Sequence, residues 1–140
     1  MGVSNYDISS TLATSVSQRL VRRLCPHCRK EREYTKEEID IINKIGDKYN
    51  VKFDLEGKKT FEAVGCKKCN NTGYLGRIGI FEVLIIDDNI KNLIVENKSA
   101  SDIRNLALSQ GYVPLIVDGI NKIIDGTTNL PELNNKLAIY

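Results

Sequence analysis

Cys25-Pro26-His27-Cys28 and Cys66-Lys67-Lys68-Cys69 are two copies of one spacing, and together they use all four cysteines of the 140-residue chain. A CxxC turn lets two sulfurs converge on one ion, and two such turns complete a tetrahedral four-thiolate shell with metal–sulfur distances of about 2.3 Å. That shell is closed. With no open position for water the metal has no Lewis-acid or hydroxide chemistry to perform, so it stabilises the fold. The N-terminus has no basic region followed by an apolar one, and short CxxC loops suit a metal turn better than a disulfide. A thioredoxin-like redox pair needs only one CxxC, set between a strand and a helix. His27 lies inside the first turn, but four thiolates already fill the shell, so it is left out. The expectation is one structural Zn²⁺ per chain held by Cys25, Cys28, Cys66 and Cys69, with no catalytic residue.

Working outward from the cysteines, Ser9 or Ser10 can cap a short helix through about residue 17, with Leu12 and Val16 on one face. The pattern over 18–24 reads as a strand that delivers Cys25. In the insertion 29–65, Thr35 with Glu38 forms a capping box, Ile39, Ile42 and Ile45 mark a helical face, and Gly46 is expected to end it. Residues 47–59 read as a loop and 60–64 as an edge strand leading into Cys66. Gly73, Gly76 and Gly79 suggest a turn and bulge feeding the β-rich run 80–86. No window supplies GxxxxGK followed by Ser or Thr, so no P-loop is read here.

After Asp87 the periodicity is helical throughout. Ile90, Leu93 and Ile94 belong to one helix, and Ile103, Leu106 and Ala107 to a second, which is capped by Ser99 with Asp102 and stopped by Gly111. Pro114 opens a third, with Leu115, Ile116, Ile120, Ile123 and Ile124 on its apolar face and Gly126 at its end. Asn129 with Glu132 caps a last helix carrying Leu130, Leu133 and Leu137. These four read as a small bundle whose contacts are its own, expected to outlast metal removal.

The 41% hydrophobic and 27% charged content is that of an ordinary folded domain, and no apolar run is long enough to span a bilayer. The formal charge is +2 with neutral thiols. Four bound thiolates and one Zn²⁺ bring the chain close to neutral, which argues against nucleic acid. Arg19, Arg22, Arg23, Arg29, Lys30 and Arg32 form a local basic cluster that reads as a solvated face or a protein contact.

The order of these motifs resembles the C-terminal portion of the secretion ATPases that assemble type IV pili and drive type II secretion. The resemblance covers almost the whole chain. It rests on Gln18-Arg19-Leu20-Val21-Arg22 before the first CxxC, Asn71-Thr72-Gly73-Tyr74 after the second, Gly76-Arg77-Ile78-Gly79-Ile80-Phe81-Glu82, Asp118-Gly119 and Thr127-Thr128. It implies a fragment of a RecA-like ATPase C-terminal domain from a hexameric motor, with its ATP and Mg²⁺ sites in an upstream core. The implied partners are that core, neighbouring protomers and inner-membrane platform proteins, and the implied location is the cytoplasmic face of the inner membrane. Strand 18–24 would then lack its neighbours in the core sheet.

The fold class expected is α+β: a small tetracysteine zinc-binding β element with an inserted helix, followed by a C-terminal bundle of short helices. The expected parts are 1–24 (end of the ATPase core), 25–86 (zinc subdomain) and 87–140 (helical subdomain). The function implied is a zinc-stabilised structural and regulatory domain without ATP hydrolysis of its own. A free-standing zinc ribbon binding nucleic acid or protein, and a cysteine-rich domain of Hsp40 type, are the alternatives. The four apolar-faced helices speak against a nucleic-acid ribbon, and Hsp40 repeats come in fours where this chain has two.

Overall fold

Into the first cysteine pair the chain runs as one strand, β1 (Thr14–Leu24), in the computed structural model, which describes residues 14–140. Residues 14–17, expected to finish a helix, are strand, and the rest of that expected helix lies outside the described residues. β1 pairs with β4 (Tyr74–Ile85), so strand 18–24 has a neighbour within its own chain. The β-branched and aromatic content of β4 suits a pleated surface, and Gly76, at a φ of 79°, and Gly79, expected in a turn and bulge ahead of a strand over 80–86, lie within it. Val21, Leu24 and Ile80 are buried, whereas Leu20, Phe81, Val83 and Ile85 remain exposed.

The insertion is closed at its base by a second, shorter ladder. β2 (Lys30–Arg32) and β3 (Thr60–Glu62) pair antiparallel, with Lys30 opposite Glu62 and Arg32 opposite Thr60. Because β2 follows Cys28 and β3 precedes Cys66, this register brings the two cysteine pairs together. Arg32 reinforces it, with Nε 3.2 Å from the Glu62 carboxylate and Nη1 donating to Glu38 Oε1 at 2.6 Å.

Helix α1 (Lys36–Tyr49) starts at the expected capping box, in which Thr35 and Glu38 satisfy each other's backbone amides. It does not end at Gly46. That glycine is buried inside the helix, which runs on to a left-handed cap at Asn50. The chain folds straight back, with the Val51 amide donating to the Gly46 carbonyl at 2.8 Å. A Cβ at position 46 would stand 2.5 Å from the Val51 carbonyl oxygen. Glycine is there for a close approach, not for a stop.

The described residues divide into two compact units that cut across the expected three parts. One comprises 14–17 with Phe81–Pro114. Here α2 (Asp88–Val95) and α3 (Ala100–Ser109) close over Ile86, Ile90 and Ala107, flanked by Leu84, Ile94, Ile103, Leu106 and Tyr112. The Tyr112 hydroxyl donates to the Glu82 carboxylate. Asp87 caps α2, and the Ser99–Asp102 box caps α3.

The second unit joins Gln18–Ile80 with Leu115–Tyr140. Helices α4 (Leu115–Ile124) and α5 (Leu130–Leu137) share one core with the cysteine-bearing segment, built from Val21, Ile42, Ile45, Ile80, Ile120, Ile123, Leu130 and Leu133. The four C-terminal helices are therefore two pairs with separate cores. The second pair packs with the cysteine-bearing segment, which corrects the expectation of a self-contained tail.

Candidate metal centre

The two cysteine turns meet where β1 ends and β4 begins. The turn carrying Cys25 and Cys28 closes with the Arg29 amide donating to the Cys25 carbonyl at 3.0 Å, and Cys66–Cys69 form a single 3-10 turn over Lys67–Cys69. The two are stitched together by the Cys25 amide, which donates to the Gly73 carbonyl at 3.0 Å.

All four sulfurs lie within 4.8 Å of one another, the one such ligand group among the described residues. Cys25–Cys66, Cys28–Cys69 and Cys66–Cys69 are each separated by 3.8 Å. A regular tetrahedron with metal–sulfur arms of about 2.3 Å has edges of about 3.8 Å. Three of the six sulfur–sulfur separations thus match the edges of such a shell. They are far beyond the roughly 2.05 Å of a disulfide, and all four thiols are free. His27 is exposed and belongs to no ligand group.

Backbone amides supply the electrostatics. The Gly65 amide donates to Cys28 Sγ at 3.3 Å, the Cys66 amide to Cys69 Sγ at 3.2 Å, and the Gly73 amide to Cys69 Sγ at 3.3 Å. Such N–H groups stabilise a thiolate, as hydrogen bonds to any charged form do. Burial of Cys69 opposes ionisation, but the Cys66 and Gly73 amides together with the neighbouring Cys66 and Cys28 sulfurs outweigh it and bring the thiol down to about 6. At Cys28 burial dominates, with the neighbouring sulfurs adding to it against the Gly65 amide, and holds the thiol at about 11. A divalent cation held by the sulfurs would reverse that, since coordination deprotonates a thiol outright.

Gly73 is indispensable to this arrangement. Its φ of 83° lies in the left-handed region, and a Cβ there would meet the Ala63 Cβ at 2.6 Å and the Ala63 carbonyl carbon at 2.9 Å. The Asn-Asn-Thr-Gly run after Cys69 carries a hint of this, because Asn70 and Asn71 also take positive φ and turn the chain back over the sulfurs.

Beyond the cysteines, sequence reasoning missed a layer of long-range contacts. Glu132, read as a helix cap, is fully buried. Its Oε2 accepts from the Arg22 amide at 2.6 Å and its Oε1 from Arg22 Nε at 3.0 Å. The Arg22 guanidinium lies 4.1 Å from the centroid of the Tyr74 ring, and the Tyr74 hydroxyl donates to Asn129 Oδ1 at 2.9 Å. No local periodicity announces a pair so distant in sequence.

Residues 1–135 match the family model described as "Type II/IV secretion system protein". The chain is 38% identical over 133 residues to the type IV pilus assembly ATPase PilB of Thermus thermophilus, covering 95% of this chain and 14% of that protein. It is 36% identical over 138 residues to PilB of Myxococcus xanthus, covering 99% and 24%. It is 35% identical over 133 residues to the type II secretion system protein HxcR of Pseudomonas aeruginosa, covering 95% and 23%. The chain thus spans less than a quarter of the length of these relatives.

Proposed function

The chain belongs to the Type II/IV secretion system protein family, and from that premise we propose that it is the zinc-stabilised C-terminal portion of a hexameric ATPase that powers type IV pilus assembly or type II secretion. The observation that carries the metal part is the set of 3.8 Å sulfur separations, which match the edges of a tetrathiolate zinc shell. Cys25, Cys28, Cys66 and Cys69 are its protein ligands, one Zn²⁺ per chain. When bound, the ion supplies cross-linking free energy and no reaction, since four sulfurs close its coordination.

The rest of the reading follows from the relatives, whose names give pilus assembly and type II secretion as their work. ATP and Mg²⁺ would be held by the part of the parent protein that this chain does not cover, because none of its segments has a phosphate-cradling sequence. The role of this portion is to hold the motor's arrangement, against the ATPase core and neighbouring protomers, at the cytoplasmic face of the inner membrane beside the platform proteins. No helix among the described residues is long and apolar enough to cross a membrane.

The test is to place Cys66→Ser with Cys69→Ser in the parent protein. Zinc content should fall from one per chain to none, and pilus assembly or secretion should be lost while nucleotide binding by the core persists. Full transport by a zinc-free double variant would reject the role.

A further inference from the structure

The short turn between α4 and α5 bonds to the neighbours of Cys25 and Cys28 and to the strands on either side of the Cys66–Cys69 turn. The Leu24 amide, next to Cys25, donates to the Thr127 carbonyl at 2.8 Å. Arg29, next to Cys28, lays its guanidinium 4.1 Å from the Phe61 ring centroid and donates from Nη1 to the Gly126 carbonyl at 2.6 Å. Asn129 serves both limbs of the second turn: Nδ2 donates to the Phe61 carbonyl at 3.4 Å, on the strand leading into Cys66, and Oδ1 accepts from Tyr74, on the strand leaving Cys69. The same Asn129 Oδ1 accepts the Glu132 amide at 3.2 Å, and so starts α5. Thr128, fully buried, donates to the Arg22 carbonyl at 2.9 Å.

We propose that residues 126–129 form a metal-linked latch, through which occupancy of the tetrathiolate site governs whether helix α5 is seated and α5 in turn sets the affinity of that site. The inference rests on the metal-centre reading above and adds a coupling to it. The physical ground is that Asn129 and Gly126 bond to chain segments whose positions the sulfurs fix. When the sulfurs are released, those segments lose their common anchor, and the cap of α5 loses two of its partners. Linkage then requires the reverse effect, with the same factor in each direction. The buried Glu132 makes the seated state all-or-none. Its carboxylate is satisfied only with Arg22 in place, and an unpaired buried carboxylate is strongly disfavoured.

The experiment uses the whole chain, loaded with Zn²⁺, and reads two quantities: zinc affinity by competition with a chromophoric chelator, and amide hydrogen exchange in α5. Tyr74→Phe removes one hydroxyl from the latch and should weaken zinc binding about 2- to 10-fold, the worth of one hydrogen bond. Asn129→Ala should weaken it further. Tyr112→Phe, which removes a hydroxyl bonded to Glu82 in the other unit, should leave it unchanged. In the wild type, stripping the metal should speed α5 exchange by about tenfold or more while α2 and α3 keep their protection. Should Asn129→Ala fail to fold, Tyr74→Phe decides alone. Wild-type affinity in Tyr74→Phe, or α5 protection unchanged after elemental analysis proves zinc loss, overturns the latch. A chain that never takes up zinc overturns the metal centre and the latch together.

Discussion

The sulfurs of Cys25, Cys28, Cys66 and Cys69 are the proposed ligand set, which single substitutions can separate from its surroundings. Each Cys→Ser variant should lose its zinc, as measured by elemental analysis, while His27→Ala should keep one ion per chain. Zinc retained by all four serine variants and lost from His27→Ala would reject the set. The same resolution applies to the core. Ile120 is fully buried, and Ile120→Ala should cost about 2–5 kcal/mol in denaturant unfolding. Lys122, part-exposed and 3.9 Å from Asp118, should cost well under about 1 kcal/mol when replaced by Ala. The reverse ranking would mean that the apolar face of α4 has been assigned the wrong phase.

Helix α1 shows how a short element is held from its ends. The Thr35–Glu38 box closes its first turn, and Thr35→Ala should lower the stability of the unit by about 1 kcal/mol. Glu38 has a second task as the partner of Arg32. Burial raises its pKa, but the Arg32 hydrogen bond and the Thr35 amide together outweigh that and leave it lowered. A carboxylate with a depressed folded pKa contributes stability that is present above its unfolded pKa and lost as the pH falls through the folded one. The melting-temperature advantage of wild type over Glu38→Gln should therefore be largest near neutrality and shrink on acidification below the ordinary glutamate range. An advantage that grows in acid would show that Arg32 is not the stabilising partner.

The described residues form a cysteine-bearing unit and a smaller helical unit, and the sequence has no GxxxxGK followed by Ser or Thr. The purified chain should match a buffer blank in phosphate release from ATP. Turnover that survives repurification and disappears with a point substitution in this chain would refute that. Removing the metal with a chelator should cost circular-dichroism signal from α1, α4 and α5, because structural zinc in small domains is worth roughly 10–16 kcal/mol, more than a typical domain's stability. The pair α2–α3, with its separate core around Ile90, should retain its share.

How much of this was readable from residue order follows the range of the forces involved. The cysteine pairs, the Thr35 and Ser99 capping boxes and the apolar faces of α4 and α5 are local patterns, set by bond geometry within a turn or two of chain, and each is visible without a structure. Gly46 misled because a helix-ending glycine and one kept small for a returning Val51 look alike in sequence. The allegiance of α4 and α5 to the cysteine-bearing unit, the partner of β1, and the burial of Glu132 beneath Arg22 depend on segments far apart in the chain. Their energies come from apolar area and from a buried carboxylate bonded to a part-exposed arginine, contacts that exist only once those segments have met. Two CxxC turns are legible in the sequence, but only the packed chain decides which helices share a core with them.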